Sequence, residues 1–243
     1  MRGLLSPAFA HLLDCLFPPT CAACGKPIAD SRVGRLCPAC RESVERIVSP
    51  ICLRCGQPFD GPFGTDHVCG RCLSSPPHYD RARSLFLFAG PVRELVHRVK
   101  YAGCGHALRA ICSLVKEDLD ARDERVSGLV VPVPLHPRRL RSRGFNQSLR
   151  IARGIFSADM VCVDLVAKVR DTRPQTGLDA VERAGNVRGA FALVRPIPYG
   201  IRRVTLLDDV YTTGATVSEC ARVLKKGGVK EVHVLTVART PVS

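Results

Sequence analysis

The strongest fold signal in the chain is the stretch Val204–Thr216, which reads VTLLDDVYTTGAT. Its apolar first half is typical of a strand buried on both faces of a parallel sheet, and ligands of α/β proteins collect at the carboxyl ends of such strands. We expect Asp208 and Asp209 at that end, followed by a hydroxyl-rich turn and a helix through Lys226. Two carboxylates can accept hydrogen bonds from the vicinal hydroxyls of a ribose, and a helix N-terminus favours a monophosphate. The order of these parts predicts a phosphosugar site.

An acidic turn before a threonine-capped helix would need no ligand, but here the strand, the paired acids and the TTGAT turn follow one another in the required order. The chain contains no GxxxxGK[ST] string, so hydrolysis of a nucleoside triphosphate is not expected. The segment LLDDVYTTGAT resembles the phosphoribosyl pyrophosphate (PRPP) signature of type I phosphoribosyltransferases. This resemblance implies that Asp208 and Asp209 hold the ribose hydroxyls. It also implies that the 5-phosphate is bound by Tyr211, Thr212, Thr213, Gly214, Ala215 and Thr216.

The composition of the 243-residue chain is that of a globular protein with room for one sizeable core and a small module. Its formal net charge of +14 favours polyanionic partners such as phosphates or nucleic acid. Arginines on solvated faces would produce the same charge without any such partner. The charge therefore indicates a class of ligand but no particular fold.

Eight of the thirteen cysteines form four CxxC pairs whose spacing lets four thiolates surround one zinc ion. The predicted metal ligands are Cys21, Cys24, Cys37, Cys40, Cys52, Cys55, Cys69 and Cys72. Pairing of the first with the second and the third with the fourth is the simplest arrangement, but an interleaved one uses the same ligands. A site with four thiolates leaves no open position for water, so we expect one or two structural zinc ions. Two filled sites would lower the net charge to about +10.

The five remaining cysteines, among them Cys104 in a glycine-flanked loop, are interpreted mostly as small core side chains. Reduced thiolates in zinc sites favour a cytoplasmic location. The apolar patch Leu4–Phe17 is interrupted by Pro7, His11 and Asp14, so it is too short to cross a bilayer, and it lacks a credible cleavage site for a signal peptide. We expect an amphipathic helix that docks on the body of the protein, and no membrane span.

The chain divides into three predicted parts: an N-terminal amphipathic helix at residues 1–19, a double zinc-ribbon module at 20–75 and an α/β domain at 80–243. The sequence SSPP at 74–77 marks the linker. In the α/β domain, strands alternate with helices, which predicts a parallel sheet flanked by helices. The predicted strands are Arg83–Ala89, Gly128–Pro132, Met160–Leu165, Arg203–Leu207 and Glu231–Ala238, and the predicted helices are Pro91–Lys100, His106–Arg122, Asn146–Phe156 and Ala215–Lys226.

A second constellation is the stretch Val131–Gln147, VPVPLHPRRLRSRGFNQ. A strand ends here in a proline-stiffened loop, and four arginines follow within six residues. Prolines donate no N–H, but they fix the backbone so that their neighbours can present theirs to a pyrophosphate, while arginines neutralise charge on the leaving group. A solvated basic loop, or one that binds a nucleic-acid backbone, is the alternative. The predicted contacts are the backbone of Val133, Leu135 and His136 and the side chains of Arg138 and Arg143.

The string PVPLHPRRLRSRGFNQ closely resembles a loop of the ComF family of competence-associated phosphoribosyltransferases. A third string, RDTRPQTGL at 170–178 together with Arg183, is similar to another segment of that family, which we expect to act as a mobile cover. Gln175 and Arg183 are its candidate substrate contacts, although a helix and loop packed over the sheet edge fit the same residues. The pair Lys100-Tyr101 matches the family's KY element and makes Lys100 a candidate phosphate contact. The resemblance spans nearly the whole chain and implies a type I phosphoribosyltransferase-like sheet behind an N-terminal zinc-ribbon module.

The family resemblance implies a protein that binds PRPP with Mg²⁺ and acts on or with single-stranded DNA in competence, the natural transformation of cells. Its candidate partners are PRPP, single-stranded DNA, and DNA-uptake or helicase proteins. A non-catalytic DNA-binding or PRPP-sensing factor on the same fold is the alternative. Both catalysis and the acceptor of any phosphoribosyl group stay open.

Two features set limits on the resemblance. The segment Ala102–His106 departs from the Gly-rich acidic stretch that is more frequent in the family after KY, so no metal or pyrophosphate role is assigned to it. Glutamine amidophosphoribosyltransferases share the PRPP signature but carry a glutaminase domain with an N-terminal catalytic cysteine, whereas this chain begins Met1-Arg2. Ammonia transfer from glutamine is therefore not expected.

Overall fold

The computed structural model describes residues 18–28, 36–59, 61, 64–122, 126–172 and 180–241. The amphipathic helix expected at residues 1–19 lies outside these ranges except for Pro18 and Pro19. None of the helices within the ranges combines the length and the apolar character that crossing a lipid bilayer requires.

Strands and helices alternate along most of the described chain. The strands are β1 (Arg81–Leu87), β2 (Leu129–Pro132), β3 (Val166–Lys168), β4 (Phe191–Leu193), β5 (Arg203–Tyr211) and β6 (Glu231–Arg239). The helices are α1 (Pro38–Glu42), α2 (Gly70–Ser74), α3 (Gly90–Ala102), α4 (Gly105–Ala121), α5 (Pro137–Arg143), α6 (Gln147–Ile155), α7 (Ala180–Val187) and α8 (Ala215–Lys226).

Four strands form a parallel sheet in the order β1-β6-β5-β2. The central position of β5 follows from its apolar sequence, because a strand with neighbours on both sides and helices on both faces is the most buried one. Successive residues of a strand point to opposite faces, so Leu206 and Leu207 enter two different apolar clusters. Helix α8 packs in the first cluster, and α3, α4 and α6 pack in the second. The predicted parallel sheet flanked by helices is thus confirmed.

The cysteine-rich segment before β1 repeats one local structure twice. Each half has an antiparallel bridge, Thr20 to Pro27 and Ile51 to Pro58, and a short helix that begins directly after a cysteine. The first half packs with α3 and α4, whereas the second half packs in the cluster that contains α8. The two halves therefore support opposite faces of the same sheet.

The predicted strand Met160–Leu165 is wrong. In this segment Val161 alone makes a β-bridge, to Val130, and the chain forms a strand only afterwards, as β3, which pairs antiparallel with β4. Val163 and Asp164 are both exposed, whereas Leu165 and Val166 are both buried. Such a pairwise pattern does not fit the period of two of a half-covered strand, so the chain bends instead.

Two further boundaries differ from the prediction around the site. Strand β5 does not end at Leu207 but continues to Tyr211, since Asp208 still lies opposite Thr236 of β6, and both acids therefore belong to the strand itself. The segment expected to be a loop after Pro134 contains helix α5. Proline at its first position, His136 as N-cap and Gly144 in the left-handed conformation (φ 80°) at its end are ordinary signals of a short helix, which the proline-rich context obscured.

The contact between α4 and α6 leaves no room for a side chain at Gly154, where an added Cβ would lie 2.4 Å from the Cys112 Sγ. We expect Gly154→Ala to lower the free energy of unfolding by about 1–3 kcal/mol, because overpacking displaces the helices. Cys112→Ala removes the sulfur and should restore most of this loss when the two changes are combined, as measured by urea denaturation. Strictly additive effects of the two substitutions would contradict this explanation.

Candidate functional site

The eight predicted metal ligands gather into two clusters. The first tetrad is Cys21, Cys24, Cys37 and Cys40, and the second tetrad is Cys52, Cys55, Cys69 and Cys72. Within each tetrad all four Sγ atoms lie within 4.8 Å of one another. Pairs that are neighbours along the chain therefore share a site, and the interleaved arrangement is excluded. Both tetrads are compatible with a structural zinc ion.

Backbone N–H groups point at one sulfur of each tetrad. The Cys37 N–H donates to the Cys21 Sγ at 3.3 Å, and the N–H groups of Cys55 and Cys69 donate to the Cys52 Sγ at 3.4 and 3.3 Å. Burial opposes ionisation of these thiols, but the N–H donors outweigh it and lower the pKa of Cys21 and of Cys52 to about 6. At Cys21 and Cys52 the backbone thus favours the thiolate, which is the form that binds metal, whereas burial raises the pKa of Cys40, Cys69 and Cys72.

Asp208 and Asp209 lie side by side near the end of β5 and are held by two different helices. The Asp208 Oδ1 accepts hydrogen bonds from the Ser148 hydroxyl of α6 and from the Asp209 N–H, both at 2.9 Å. The Asp209 carboxylate is buried, and its Oδ2 lies 2.9 Å from the Lys100 Nζ of α3. This contact is an ion pair without hydrogen-bond alignment, since Oδ2 accepts no hydrogen bond within the described ranges. Asp209 is therefore paired with the Lys100 cation, and Asp208 is held by the Ser148 hydroxyl.

The surroundings of Asp208 raise the pKa of its carboxyl group. Burial, followed by the negative charge of Asp209, raises the pKa of Asp208 from its ordinary value of 3.8 to about 7. The Ser148 hydroxyl and the Lys100 ammonium act in the opposite direction. Because this pKa lies near neutrality, the approach of a donor or a cation is enough to ionise Asp208.

The loop Thr212–Gly214 joins β5 to α8. Gly214 has φ 79° and is the N-cap of α8, and a Cβ there would lie 2.1 Å from the Tyr211 hydroxyl oxygen. Glycine is therefore required both by the backbone conformation and by the ring beneath it. The Ser218 N–H donates to the Gly214 carbonyl at 2.9 Å, so the first turn of α8 lies directly after the loop. A helix that begins in this way offers an anion the positive end of its dipole.

The two acids and parts of the loop and of the first turn of α8 line one cavity of about 630 Å³. The predicted site residues that line it are Lys100, Val133, Leu135, Arg143, Asp208, Asp209, Tyr211, Thr212, Gly214 and Thr216. The predicted residues His136, Arg138, Thr213 and Ala215 are not part of this lining. Gln175 and the side chain of Arg183 lie outside the described part of the chain.

Helix α5 divides its arginines between the cavity and the solvent. Arg143 lines the cavity and donates to the Gln147 Oε1 at 2.8 Å. Arg138 has 80% of its side chain exposed and lies 3.7 Å from Asp171, whereas Arg139, which was not among the predicted contacts of the site, lines the cavity. Of the two predicted arginines, Arg143 thus lines the cavity and Arg138 does not.

The three backbone N–H groups that were expected to face a pyrophosphate differ in their hydrogen bonding. The Val133 N–H donates to the Leu207 carbonyl at 2.9 Å, so it extends the sheet instead of facing a ligand. The Leu135 and His136 N–H groups have no partner within the described residues. The His136 Nδ1 accepts a hydrogen bond from the Arg138 N–H at 3.3 Å and so begins α5.

Two side chains at the site were not predicted from the sequence. Lys168 of β3 lines the cavity and donates to the Thr172 hydroxyl at 2.7 Å, and burial, followed by the charge of Arg139, lowers its pKa. Ser148 orients Asp208 from the first turn of α6. Ser148 directly follows the RGFNQ string and could have been found from its position, whereas Lys168 lies on a strand that the sequence did not predict.

Comparisons with known proteins find a zinc-ribbon family model and several relatives that are similar to this chain. Residues 12–73 match the double zinc ribbon domain family. The chain is 36% identical over 181 residues to the DNA utilization protein YhgH of Escherichia coli (strain K12), and the aligned region covers 71% of this chain and 78% of the relative. It is 32% identical over 182 residues to competence protein F of Haemophilus influenzae, with coverage of 70% and 78%. It is also 28% identical over 160 residues to competence protein ComFC of Streptococcus pneumoniae, with coverage of 65% and 67%.

Among solved structures, a hypoxanthine phosphoribosyltransferase from Staphylococcus aureus matches with a TM-score of 0.31 and 15% sequence identity. The match covers 53% of this chain and 61% of that chain, which is less than two thirds of its length.

The raised pKa of Asp208 predicts a change of stability with pH. The unfolded chain loses this proton near pH 3.8, whereas the folded chain keeps it up to about pH 7, so the unfolded state binds fewer protons between these values. The contribution of Asp208 to stability therefore falls as the pH rises through this window. An asparagine cannot ionise, and its amide oxygen can still accept the Ser148 hydrogen bond. We expect the melting temperature of Asp208→Asn, relative to that of the wild type, to rise from pH 5 to pH 8.

Thermal melts of both proteins across this range measure the difference. Asp120→Asn, which removes an exposed carboxylate at the end of α4, is the control, and its difference from the wild type should stay constant. A constant difference for Asp208→Asn as well would show that its pKa is not raised.

Proposed function

This chain belongs to the ComF family, and we propose that it binds PRPP in the cavity beside Asp208 and Asp209 and handles single-stranded DNA in natural transformation. The observation that carries the proposal is that the acid pair, Lys100 and two residues of the loop, Thr212 and Gly214, line one cavity of about 630 Å³. Small-molecule sites typically have volumes of about 300–1,000 Å³. The relatives named for DNA utilization and for competence favour the DNA part of the proposal.

The acid pair supports recognition of the ribose. Ser148 and the Asp209 N–H occupy part of the acceptor capacity of Asp208, and each carboxylate can accept about four hydrogen bonds. The remaining capacity suits two vicinal hydroxyl donors. Donation to Asp208 stabilises its ionised form, so the ligand and the proton compete for this carboxylate.

The phosphate groups of PRPP match the positive parts of the lining. The loop and the first turn of α8 suit the 5-phosphate, because backbone N–H groups and hydroxyls at a helix N-terminus bind such anions. Lys100, Arg139, Arg143 and Lys168 supply the remaining cationic lining and suit the pyrophosphate. Positive side chains held in place before the reaction stabilise charge that develops on a leaving pyrophosphate.

The resemblance also implies Mg²⁺, and the residues fit this ion. Carboxylate oxygens are its preferred protein ligands, and the buried Asp209 Oδ2 accepts no hydrogen bond within the described ranges. Asp208 and Asp209 would hold the ion together with PRPP. The ion would supply neutralisation of the pyrophosphate charge.

The reaction that these residues support is transfer of the phosphoribosyl group with release of pyrophosphate. The acids fix the ribose, the loop fixes the 5-phosphate, and the cations neutralise the leaving group, so the protein acts by positioning and electrostatics. The same contacts would bind PRPP in a protein that senses it without transferring the group. Pyrophosphate release in the presence of nucleobases, amines or DNA distinguishes transfer from sensing.

A contact with DNA is supported by the outer face of α5. Arg138 and Arg141 are exposed on this helix, next to the arginines that line the cavity. Lysine and arginine side chains that neutralise phosphates supply most of the sequence-independent affinity for nucleic acid. The chain has no tryptophan and few other aromatic residues, so stacking on bases contributes little.

We expect the double variant Asp208→Asn/Asp209→Asn to bind PRPP with Mg²⁺ at least about 100-fold more weakly than the wild type, because charge-assisted hydrogen bonds to the ribose hydroxyls are lost. Isothermal titration calorimetry measures the affinity. Asp120→Asn/Asp159→Asn removes two exposed carboxylates away from the cavity and should bind like the wild type. Binding by the first double variant within tenfold of the wild type would sink the assignment of the acids.

We expect the protein to bind single-stranded DNA with an affinity that falls steeply with salt. Replacement of Arg138 and Arg141 by glutamine should weaken binding and reduce the slope of log K against log salt by about 0.7 for each phosphate that an arginine no longer neutralises. Fluorescence anisotropy with a labelled oligonucleotide measures both quantities. The matched control replaces the exposed residues Arg93 and Arg202 by glutamine and has the same net charge. Equal slopes for the two double variants would refute a DNA contact at α5.

A further inference from the structure

The second tetrad is connected to the loop Thr212–Gly214 through Arg239. This residue ends β6, is only 1% exposed and donates from Nη1 to the Cys55 carbonyl at 2.7 Å. Its guanidinium carbon lies 4.5 Å from the centre of the Tyr211 ring. The Tyr211 hydroxyl lies against Gly214, where an added Cβ would meet it at 2.1 Å. A continuous series of contacts therefore runs from Cys55 through Arg239 and Tyr211 to Gly214.

Tyr211 is also held from a second direction. Its hydroxyl lies 2.6 Å from the Tyr79 hydroxyl, and both rings are buried. Both tyrosines share one apolar cluster with the four cysteines of the second tetrad and with Val217 of α8. The first tetrad packs in the other cluster, whose described members do not include Tyr211 or Val217. The second tetrad alone is thus packed against the support of the loop.

The buried charge of Arg239 requires a compensating interaction. A buried guanidinium is costly unless its donors are satisfied, and the Nε and Nη2 atoms of Arg239 have no hydrogen-bond partner within the described ranges. The face of the Tyr211 ring offsets part of this cost. Four thiolates around one zinc ion carry a net charge of −2 and attract the guanidinium, whereas four neutral thiols do not. Metal in the second tetrad would therefore stabilise Arg239 in its position under Tyr211.

We propose that Arg239 is a positioning residue through which the metal-loaded second tetrad fixes the conformation of the loop Thr212–Gly214. The proposed function supplies the ligand of this loop, so the fixed conformation sets the affinity for PRPP. The first tetrad stabilises the opposite face of the sheet and leaves the loop unaffected.

The test compares Arg239→Met, Arg239→Lys, Cys72→Ser and Cys40→Ser with the wild type. Methionine is a flexible apolar side chain that removes the charge and the donors, and such a replacement of a buried charge is often neutral or stabilising. The two serine variants are matched, because each removes the last ligand of one tetrad. The measurements are zinc content, melting temperature, amide hydrogen exchange of peptides that cover residues 211–217 in the ligand-free protein, and PRPP affinity.

We expect Arg239→Met to keep two zinc ions and to melt at or above the temperature of the wild type. Its loop should nevertheless exchange faster and its PRPP affinity should fall, each by about tenfold, because the cation under the Tyr211 ring is lost. Arg239→Lys restores part of both losses, which replacement of a merely space-filling side chain would not do. Cys40→Ser and Cys72→Ser each lower the zinc content from two to one, but only Cys72→Ser accelerates exchange of the loop.

Loop exchange within twofold of the wild type in Arg239→Met, or equal exchange in Cys40→Ser and Cys72→Ser, overturns the inference. If Arg239→Met loses its fold, the comparison of the two serine variants decides the question. Failure of the wild type to bind PRPP would contradict the proposed function alone, because exchange in the ligand-free protein still tests the role of Arg239.

Discussion

Two adjacent carboxylates in the central strand of a buried sheet repel each other, and side chains from the surrounding helices compensate for this repulsion. Asp209 shares its face of β5 with Leu207, which is the face that α3 covers, and α3 brings Lys100 to it. Asp208 has no such cation at contact distance within the described ranges, so burial and the charge of Asp209 raise its pKa, although the hydrogen bond from Ser148 opposes this. The site therefore exists only when α3, α6 and β5 are assembled, because none of them provides both the acids and their partners.

The zinc-ribbon segment takes part in the same assembly. The SSPP linker is a change in composition but not a boundary in packing, since the Ala82 N–H of β1 donates to the Arg54 carbonyl at 2.7 Å. Gly56 lies so close to β1 that an added Cβ would be 2.5 Å from the Ala82 carbonyl oxygen. All four cysteines of the second tetrad are buried, whereas Cys24 of the first tetrad is exposed. The second half of the ribbon is therefore part of the core of the α/β domain, although the ligand spacings of the two halves differ by only one residue.

Features that depend on local sequence could be predicted, and features that depend on distant partners could not. Helix α8 has the predicted bounds Ala215–Lys226, because glycines flank it on both sides, and the order of the strands along the chain follows from their apolar runs. The hairpin of β3 and β4 joins residues about twenty-five positions apart, and its strands have only three residues each, too few for a periodic signal. The choice between Arg138 and Arg139 depends on one step of about 100° around α5, a helix that the proline-rich sequence did not reveal.

The charges of the residues that line the cavity favour a phosphosugar over a nucleic-acid backbone as the ligand. Among the described lining residues, Asp208 and Asp209 are the only acids, whereas Lys100, Arg139, Arg143 and Lys168 are cationic. A ligand with phosphates at both ends and a free diol between them can place hydroxyls on the acids and phosphates on the cations. DNA has no 2′-hydroxyl, so a DNA strand in the cavity would leave the acids without two donors and bring phosphates near them. DNA that binds at α5 therefore belongs on its exposed arginines, outside the cavity that the acids occupy.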